Sequence, residues 1–243
     1  MSKKKEKSNY LLERVIKVVG ENKKGKVLDL GCGNGDYSKR LKNLGFKVLA
    51  ADLDEKRFRY SGDISFKKCD ITRELPFEDN SFDFCLLLEV IEHLRNPYLV
   101  MSELGRILKP KGELILSTPN ILNLKSRFRF FFEGAYDFFR EPPLDQVTNP
   151  KETGFNLHIV PYRFHELEYL LKVNGFDIKT ITASVCENKG LFFLKPLIVL
   201  QSLLKERRSE RTGGIDHSRI NKILLSKELL YGRHLVIVLE NNS

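Results

Sequence analysis

The stretch LLLEVIEHLRNP (86–97) carries an apolar run straight into Glu89, Glu92 and His93. Two carboxylates and an imidazole this close can exchange protons, orient a hydroxyl or hold a divalent cation. His93 suits the proton role, because an unperturbed imidazole titrates at about 6.5. If Glu89 opens a helical turn, Glu92 and His93 follow three and four positions on and share its face. Three roles stay open. Glu92 and His93 can be a helix N-terminal acid and a local hydrogen-bond partner, with Glu89 touching a ligand. His93, or His158 further along, can be a general base or substrate orienter, with Glu92 beside it. Glu89, Glu92, His93 and His158 can together hold a divalent metal, which would neutralise crowded carboxylates and activate a hydroxyl.

A second feature lies upstream. VLDLGCGNGDY (27–37) sets Gly31, Cys32, Gly33 and Gly35 between a strand and a helix. Missing side chains let a ligand lie on the backbone, and the helix start offers free N–H groups. A dinucleotide loop wants a third glycine where Asp36 stands, and a pyrophosphate would be repelled by Asp29 and Asp36. This spacing argues against a nicotinamide-dependent oxidoreductase. A cationic ligand would welcome Asp29, which points to S-adenosylmethionine with its ammonium and sulfonium. Asp52 ends the next strand, where a carboxylate can accept from two ribose hydroxyls. Asp70 ends the third and can accept from an adenine amino group, with Leu53 and Ile71 as apolar walls.

Strand and helix patterns alternate behind these residues, as in a mainly parallel sheet covered by helices. Strands are expected at 26–31, 47–52, 65–71, 82–90, 112–120, 176–185 and 234–240. Helices are expected at 36–45, at roughly 92–108 with Leu94, Tyr98, Met101, Leu104 and Leu108 as its apolar stripe, and at 163–175. Residues 1–25 read as a basic tail with a leading helix, and 26–243 as one domain. Two insertions, about 120–160 and 187–232, are long enough to carry function.

The chain resembles the class I S-adenosylmethionine-dependent methyltransferases. The resemblance rests on VLDLGCGNGDYSKRL, VLAADLD, CDITRELPFEDNSFDFCLLLEVIEHL and ELGRILKPKGELILSTPN, with YRFHELEYLLKVNGF as a weaker match. It implies a Rossmann-like α/β fold whose seven-stranded sheet has the order 3-2-1-4-5-7-6, with an antiparallel last strand and helices on both faces. It also implies that Asp29, Gly31, Gly33, Asp52 and Asp70 hold the cofactor. The small-molecule members of the family, including the ubiquinone-pathway O-methyltransferases, are the nearest in motif. The four-residue metal set resembles that of metal-dependent 2′-O-methyltransferases of small RNAs and of ubiquinone-pathway O-methyltransferases, which join E-x-x-E-H to TPN, here Thr118, Pro119 and Asn120. Both insertions fall where the family varies its substrate lids, so the acceptor stays open.

Composition bounds the rest. The net charge of +9 is concentrated, with nine basic and three acidic residues in 1–26. A solvated, frayed terminus accounts for that excess, and the near-neutral remainder argues against nucleic acid as partner. Cys32, Cys69, Cys85 and Cys186 form no C-x-x-C pair and read as small buried hydrophobes in a reducing compartment. With no signal peptide and no membrane-spanning run, a cytoplasmic protein is expected.

KSRFRFFFEGAYDFF (125–139) sets six phenylalanines and a tyrosine among Arg127 and Arg129. Helical spacing makes Phe128, Phe131, Phe132 and Phe139 the core face of a lid helix. The alternative is a greasy, cation-rimmed acceptor pocket. GLFFLKPLIVLQSLLKERRSER (190–211) reads as a lid or dimer helix, or as a helix at a membrane surface with Lys205, Arg207, Arg208 and Arg211 near anionic headgroups. The expected function is methylation, at oxygen, of a small or lipid- or glycan-linked acceptor. The alternatives are RNA ribose methylation with a metal and a non-catalytic cofactor-binding module.

Overall fold

The computed structural model describes residues 3–20, 24–139, 158–187 and 218–242, together with Phe193, Pro196 and 198–200. The segment at 205–211 and most of both insertions' middles lie outside the described residues. The chain runs α1 (Lys3–Gly20), β1 (Lys26–Leu30), α2 (Asp36–Asn43), β2 (Lys47–Asp52), β3 (Ser65–Lys68) and β4 (Phe82–Leu88). It continues through α3 (Pro97–Ile107), β5 (Leu108–Pro119), α4 (Leu124–Glu133), α5 (Phe164–Val173) and β6 (Phe176–Ala183). It ends with α6 (Ser218–Leu224), α7 (Lys227–Tyr231) and β7 (His234–Asn241).

One sheet orders the strands β3-β2-β1-β4-β5-β7-β6, with β7 antiparallel to both β5 and β6. Strands buried on two faces read as continuous apolar runs, and their side chains alternate between the faces. Leu28 and Leu30 of β1 join α3, α5 and α7 in one core, whereas Val27 joins α1 and α2 in the other. A register shift between Phe82 and Phe84 puts these two residues in opposite cores, after which Cys85 to Leu88 alternate regularly. Each fully buried leucine of these strands contributes about 1.5–3 kcal/mol.

Three local expectations change. The leading segment is no frayed tail: Leu11, Val15, Ile16 and Val19 are buried against Val27, Leu41 and Phe46. That stripe, at helical spacing, covers one sheet face. The helix after β4 starts at Pro97, not near Glu92, because Asn96 accepts from Leu99 N and proline suits the first helical position. Glu92 and His93 instead sit on a short 3₁₀ turn, Ile91–His93. Lastly, Phe128, Phe131 and Phe132 are not a core face. They stand 50%, 80% and 65% exposed, and the buried residues of α4, Leu124 and Ser126, both lie in its first turn.

Candidate active site

Alternation along β1 turns Asp29 toward α2, where it is buried and accepts a hydrogen bond from Ser38 Oγ. Burial raises its pKa to about 6, against the opposing pull of that hydrogen bond. A buried carboxylate so poised gains from a cation placed beside it. The backbone then turns sharply. Gly31 has φ 77°, and a Cβ there would lie 2.6 Å from Val90. Gly31 N and Cys32 N both donate to Ala51 O, tying the loop to β2. Gly33 N donates to Asp52 Oδ2 at 2.8 Å, and Asp54 N to Asp52 Oδ1 at 3.0 Å. A carboxylate has about four lone-pair directions, so Asp52 retains capacity for ribose hydroxyls.

A cavity of about 580 Å³ opens over this loop. Asp29, Gly31, Cys32 and Gly33 line it, Tyr37 and Leu88 wall it, and Lys56, Arg57 and Arg59 stand at its rim. A Cβ on Gly33 would meet nothing nearer than Arg57 at 3.9 Å, so the loop's bare backbone is an open cradle. Carboxylate, cradle and volume suit the amino-acid end of S-adenosylmethionine. Gly35 does not line the cavity; its φ is 83° and an added Cβ would sit 2.5 Å from Phe58, so it serves close packing.

Asp52, Leu53, Asp70 and Ile71 also lie off that lining. Asp70 accepts from Thr72 N at 3.0 Å and Thr72 Oγ1 at 2.7 Å, and these bonds to Thr72 lower its pKa. Ile71 packs on the larger core. Arg106 fixes the loop after Asp70, donating to Leu75 O at 3.0 Å and Phe77 O at 2.8 Å.

The other half forms where β4 ends. Glu89 takes φ 55°, a strained setting for a side-chain-bearing residue, and its N–H donates to Ser117 O and Oγ. Ser117 Oγ donates in turn to Glu89 Oε1 at 2.8 Å. Thr118 Oγ1 donates to Glu92 Oε2 at 3.2 Å. Ser117 and Thr118 are neighbours on β5 and so point to opposite faces. They thereby draw Glu89 and Glu92 to opposite sides of the sheet edge. Burial favours the protonated form of both acids, and the charge of Glu89 raises Glu92 further.

The Glu92 backbone carbonyl accepts from Ile159 N at 2.8 Å and Val160 N at 3.0 Å, which carries His158 in beside it. The His93 and His158 rings meet edge-on, 4.8 Å between centroids. Burial, and then His93, lower the pKa of His158 and so favour its neutral form. Two buried polar atoms here have no hydrogen-bond partner among the described residues, Glu92 Oε1 and His158 Nδ1. Ligand atoms of Glu92, His93 and His158 all lie within 4.8 Å of one another; Glu89 is outside this set.

Several participants have no local sequence signal. His234 opens β7 with Nε2 3.5 Å from Glu89 Oε2 and Nδ1 3.0 Å from Ser184 Oγ. Burial pushes its pKa down to about 3, so it is neutral. Asn120 is structural, donating through Nδ2 to Glu228, Leu229 and Gly232 carbonyls and so fixing the turn before His234. Lys56, Arg57 and Arg59 had a visible signal, a cationic cluster just past Asp52. Tyr37, one position after Asp36, had none.

A methyltransferase domain family matches residues 28–116. A ubiquinone biosynthesis O-methyltransferase of Agrobacterium fabrum is 31% identical over 183 residues, 70% of this chain and 69% of that protein. Another, of Nitrosococcus oceani, is 27% identical over 132 residues, 47% of this chain and 56% of that one. A crystal structure of a SAM-dependent methyltransferase from Archaeoglobus fulgidus shares the fold, with TM-score 0.61 at 19% identity over 99% of this chain and 95% of that one. The chain belongs to the class I S-adenosylmethionine-dependent methyltransferases. It spans only about half the length of the Nitrosococcus relative.

Proposed function

We propose that this chain moves a methyl group from S-adenosylmethionine to a hydroxyl oxygen of a small or lipid- or glycan-linked acceptor. The observation that carries the reading is the pair of unpartnered buried atoms, Glu92 Oε1 and His158 Nδ1. Such atoms are rare in folded proteins and favour a ligand that completes them. Glu92 lies on the turn that follows Leu88, a wall of the glycine-loop cavity, and backbone bonds to the Glu92 carbonyl bring His158 in beside it. The relatives named as O-methyltransferases of ubiquinone biosynthesis favour oxygen as the atom.

When bound, the cofactor supplies an electrophilic methyl on a sulfonium. Asp29 and the bare loop would hold its amino-acid end, Asp52 the ribose, and Asp70 with Ile71 the adenine. On the other side, His158 or His93 takes the hydroxyl proton as the oxygen attacks in line. That transfer would form the O–C bond as the sulfonium C–S bond breaks, releasing S-adenosylhomocysteine. Neutral Glu92 can donate a hydrogen bond to the acceptor while Glu89, held by Ser117, stays in place.

Methyl-labelled S-adenosylmethionine, offered with a phenol, a sugar alcohol and a primary amine, tests this. Label should enter a hydroxyl compound, and label only in the amine defeats the oxygen assignment. Calorimetric titration with S-adenosylhomocysteine checks the donor site separately, and no binding there would revive a non-catalytic module.

A second reading places a divalent cation among Glu92, His93 and His158, favoured by their converging donor atoms. The cation would act as a Lewis acid on the acceptor hydroxyl. Dialysis against a strong chelator followed by titration with magnesium or manganese decides it: full activity and no binding heat remove the metal. Activity lost on chelation, together with salt-sensitive RNA binding, would turn the reading toward a ribose hydroxyl.

A further inference from the structure

Most backbone donors of the glycine loop are already committed. Gly31 N and Cys32 N donate to Ala51 O, Gly33 N to Asp52 Oδ2 and Gly35 N to Cys32 O. At the start of α2, Asp36 N donates to Asn34 Oδ1, the Ser38 backbone to Asp29 and Lys39 N to Gly35 O. The N–H groups that a helix start usually offers an anion are therefore mostly taken. The amino-acid end of S-adenosylmethionine carries both charges. Its ammonium suits Asp29, but its carboxylate would share a cavity bordered by Asp29 and Asp52. Like charges so close repel, so that carboxylate needs a cation.

Cations stand at the same cavity. Lys56, Arg57 and Arg59 line it and are exposed, and none makes an ion pair or side-chain hydrogen bond among the described residues. Arg57 is the one over the cradle, with Nη2 3.9 Å from where a Cβ on Gly33 would stand. The backbone fixes it on both sides. Asp52 Oδ1 accepts from Asp54 N at 3.0 Å and Asp54 Oδ1 from Lys56 N at 3.1 Å, which starts the 3₁₀ turn Glu55–Arg57. Phe58, the next residue, is buried against Gly35 with its ring 4.9 Å from Phe66. Arg59 N then donates to Asn34 O at 3.3 Å, so the turn is tied to the loop. A guanidinium offers paired N–H groups that match a carboxylate, which an ammonium does not.

We propose that Arg57 receives the carboxylate of the cofactor's amino-acid end while Asp29 takes the ammonium, and so selects a ligand with a whole amino acid. The inference rests on S-adenosylmethionine as the donor and is independent of the atom methylated.

Calorimetric titration compares two probes, S-adenosylhomocysteine and its decarboxylated analogue, which keeps the amine. Arg57→Met should weaken S-adenosylhomocysteine about tenfold and leave the analogue unchanged, so the wild-type preference for the amino acid shrinks by that factor. Arg57→Lys should keep part of the preference, since the charge stays and the fork is lost. Lys56→Met and Arg59→Met should each cost less than about threefold, as exposed charges acting at a distance. The melting temperature should not move, because the Arg57 side chain is exposed and supports no core contact. A merely structural role would weaken both probes alike. An equal loss with both probes, unchanged S-adenosylhomocysteine affinity in Arg57→Met, or a larger loss at Lys56 or Arg59 overturns the assignment. Wild type that binds neither probe would overturn the donor site as a whole, and the inference with it.

Discussion

Around the glycine loop the carboxylates are partnered from close by. Asp52 accepts from Gly33 and Asp54, Asp70 from Thr72, and Asp29 from Ser38. Where β4 ends, Glu92 Oε1 and His158 Nδ1 have no partner among the described residues, and Glu89 is held at φ 55°. An unmet buried polar group costs about 1–3 kcal/mol, so the second region stores what the first has already satisfied. On the proposed function, the glycine-loop side is prebuilt for its ligand and the side at the end of β4 is left for a ligand to complete.

If the two regions divide the work this way, His158→Gln should cut kcat about a hundredfold or more and leave the S-adenosylhomocysteine affinity unchanged. Steady-state rates beside calorimetry read both quantities. A matching loss of affinity would mean that the regions are not separate.

Asp52→Ala should do the reverse. Removing the acceptor of two backbone N–H groups is expected to weaken S-adenosylhomocysteine about a hundredfold, near 2.7 kcal/mol. Unchanged affinity would break the donor-side account.

Acidification should sharpen the contrast. Folding raises the pKa of Asp29 from 3.8 to about 6, so the folded chain holds more protons in that interval. The stability Asp29 contributes to the free protein therefore falls as pH rises from 3.8 through about 6. Binding of the cationic cofactor has the opposite slope, because it needs the carboxylate. Affinity should weaken by up to about tenfold per pH unit below that pKa, and Asp29→Asn should flatten the curve. A flat wild-type curve would remove Asp29 from cation binding.

Gly35→Ala should have the smallest functional effect. Its positive φ and the 2.5 Å approach to Phe58 predict a melting temperature lower by a few degrees, about 1–2 kcal/mol, with little change in kcat. A large fall in kcat would place Gly35 in the site after all.

Much of the fold was legible because β strands buried on both faces write long apolar runs, and helices between them close on glycine or proline. Spacing sets the start of α3 too early, near 92, although Asn96-Pro97 marks it, a cap followed by a residue that prefers the first helical position. The exposed face of α4 was not legible. Spacing shows that Phe128, Phe131 and Phe132 share a side of a helix, but not whether anything packs against it. The same limit left the leading helix without a partner: its apolar stripe did not show that it packs on the sheet.

The glycine loop and the carboxylates at two strand ends could be read from the residues alone, because they are properties of short stretches; that Asp52 and Asp70 lie off the cavity lining could not. Only the folded chain decided the acceptor half. Glu89 and Glu92 are three positions apart, yet Ser117 and Thr118, on opposite faces of β5, separate them. His158 and His234 come from distant stretches, one carried by backbone bonds to Glu92 and the other by the pairing of β7 with β5. Direction alternates along a strand, and partners across a sheet are chosen by packing, so neither can be read from the residues that end up touching.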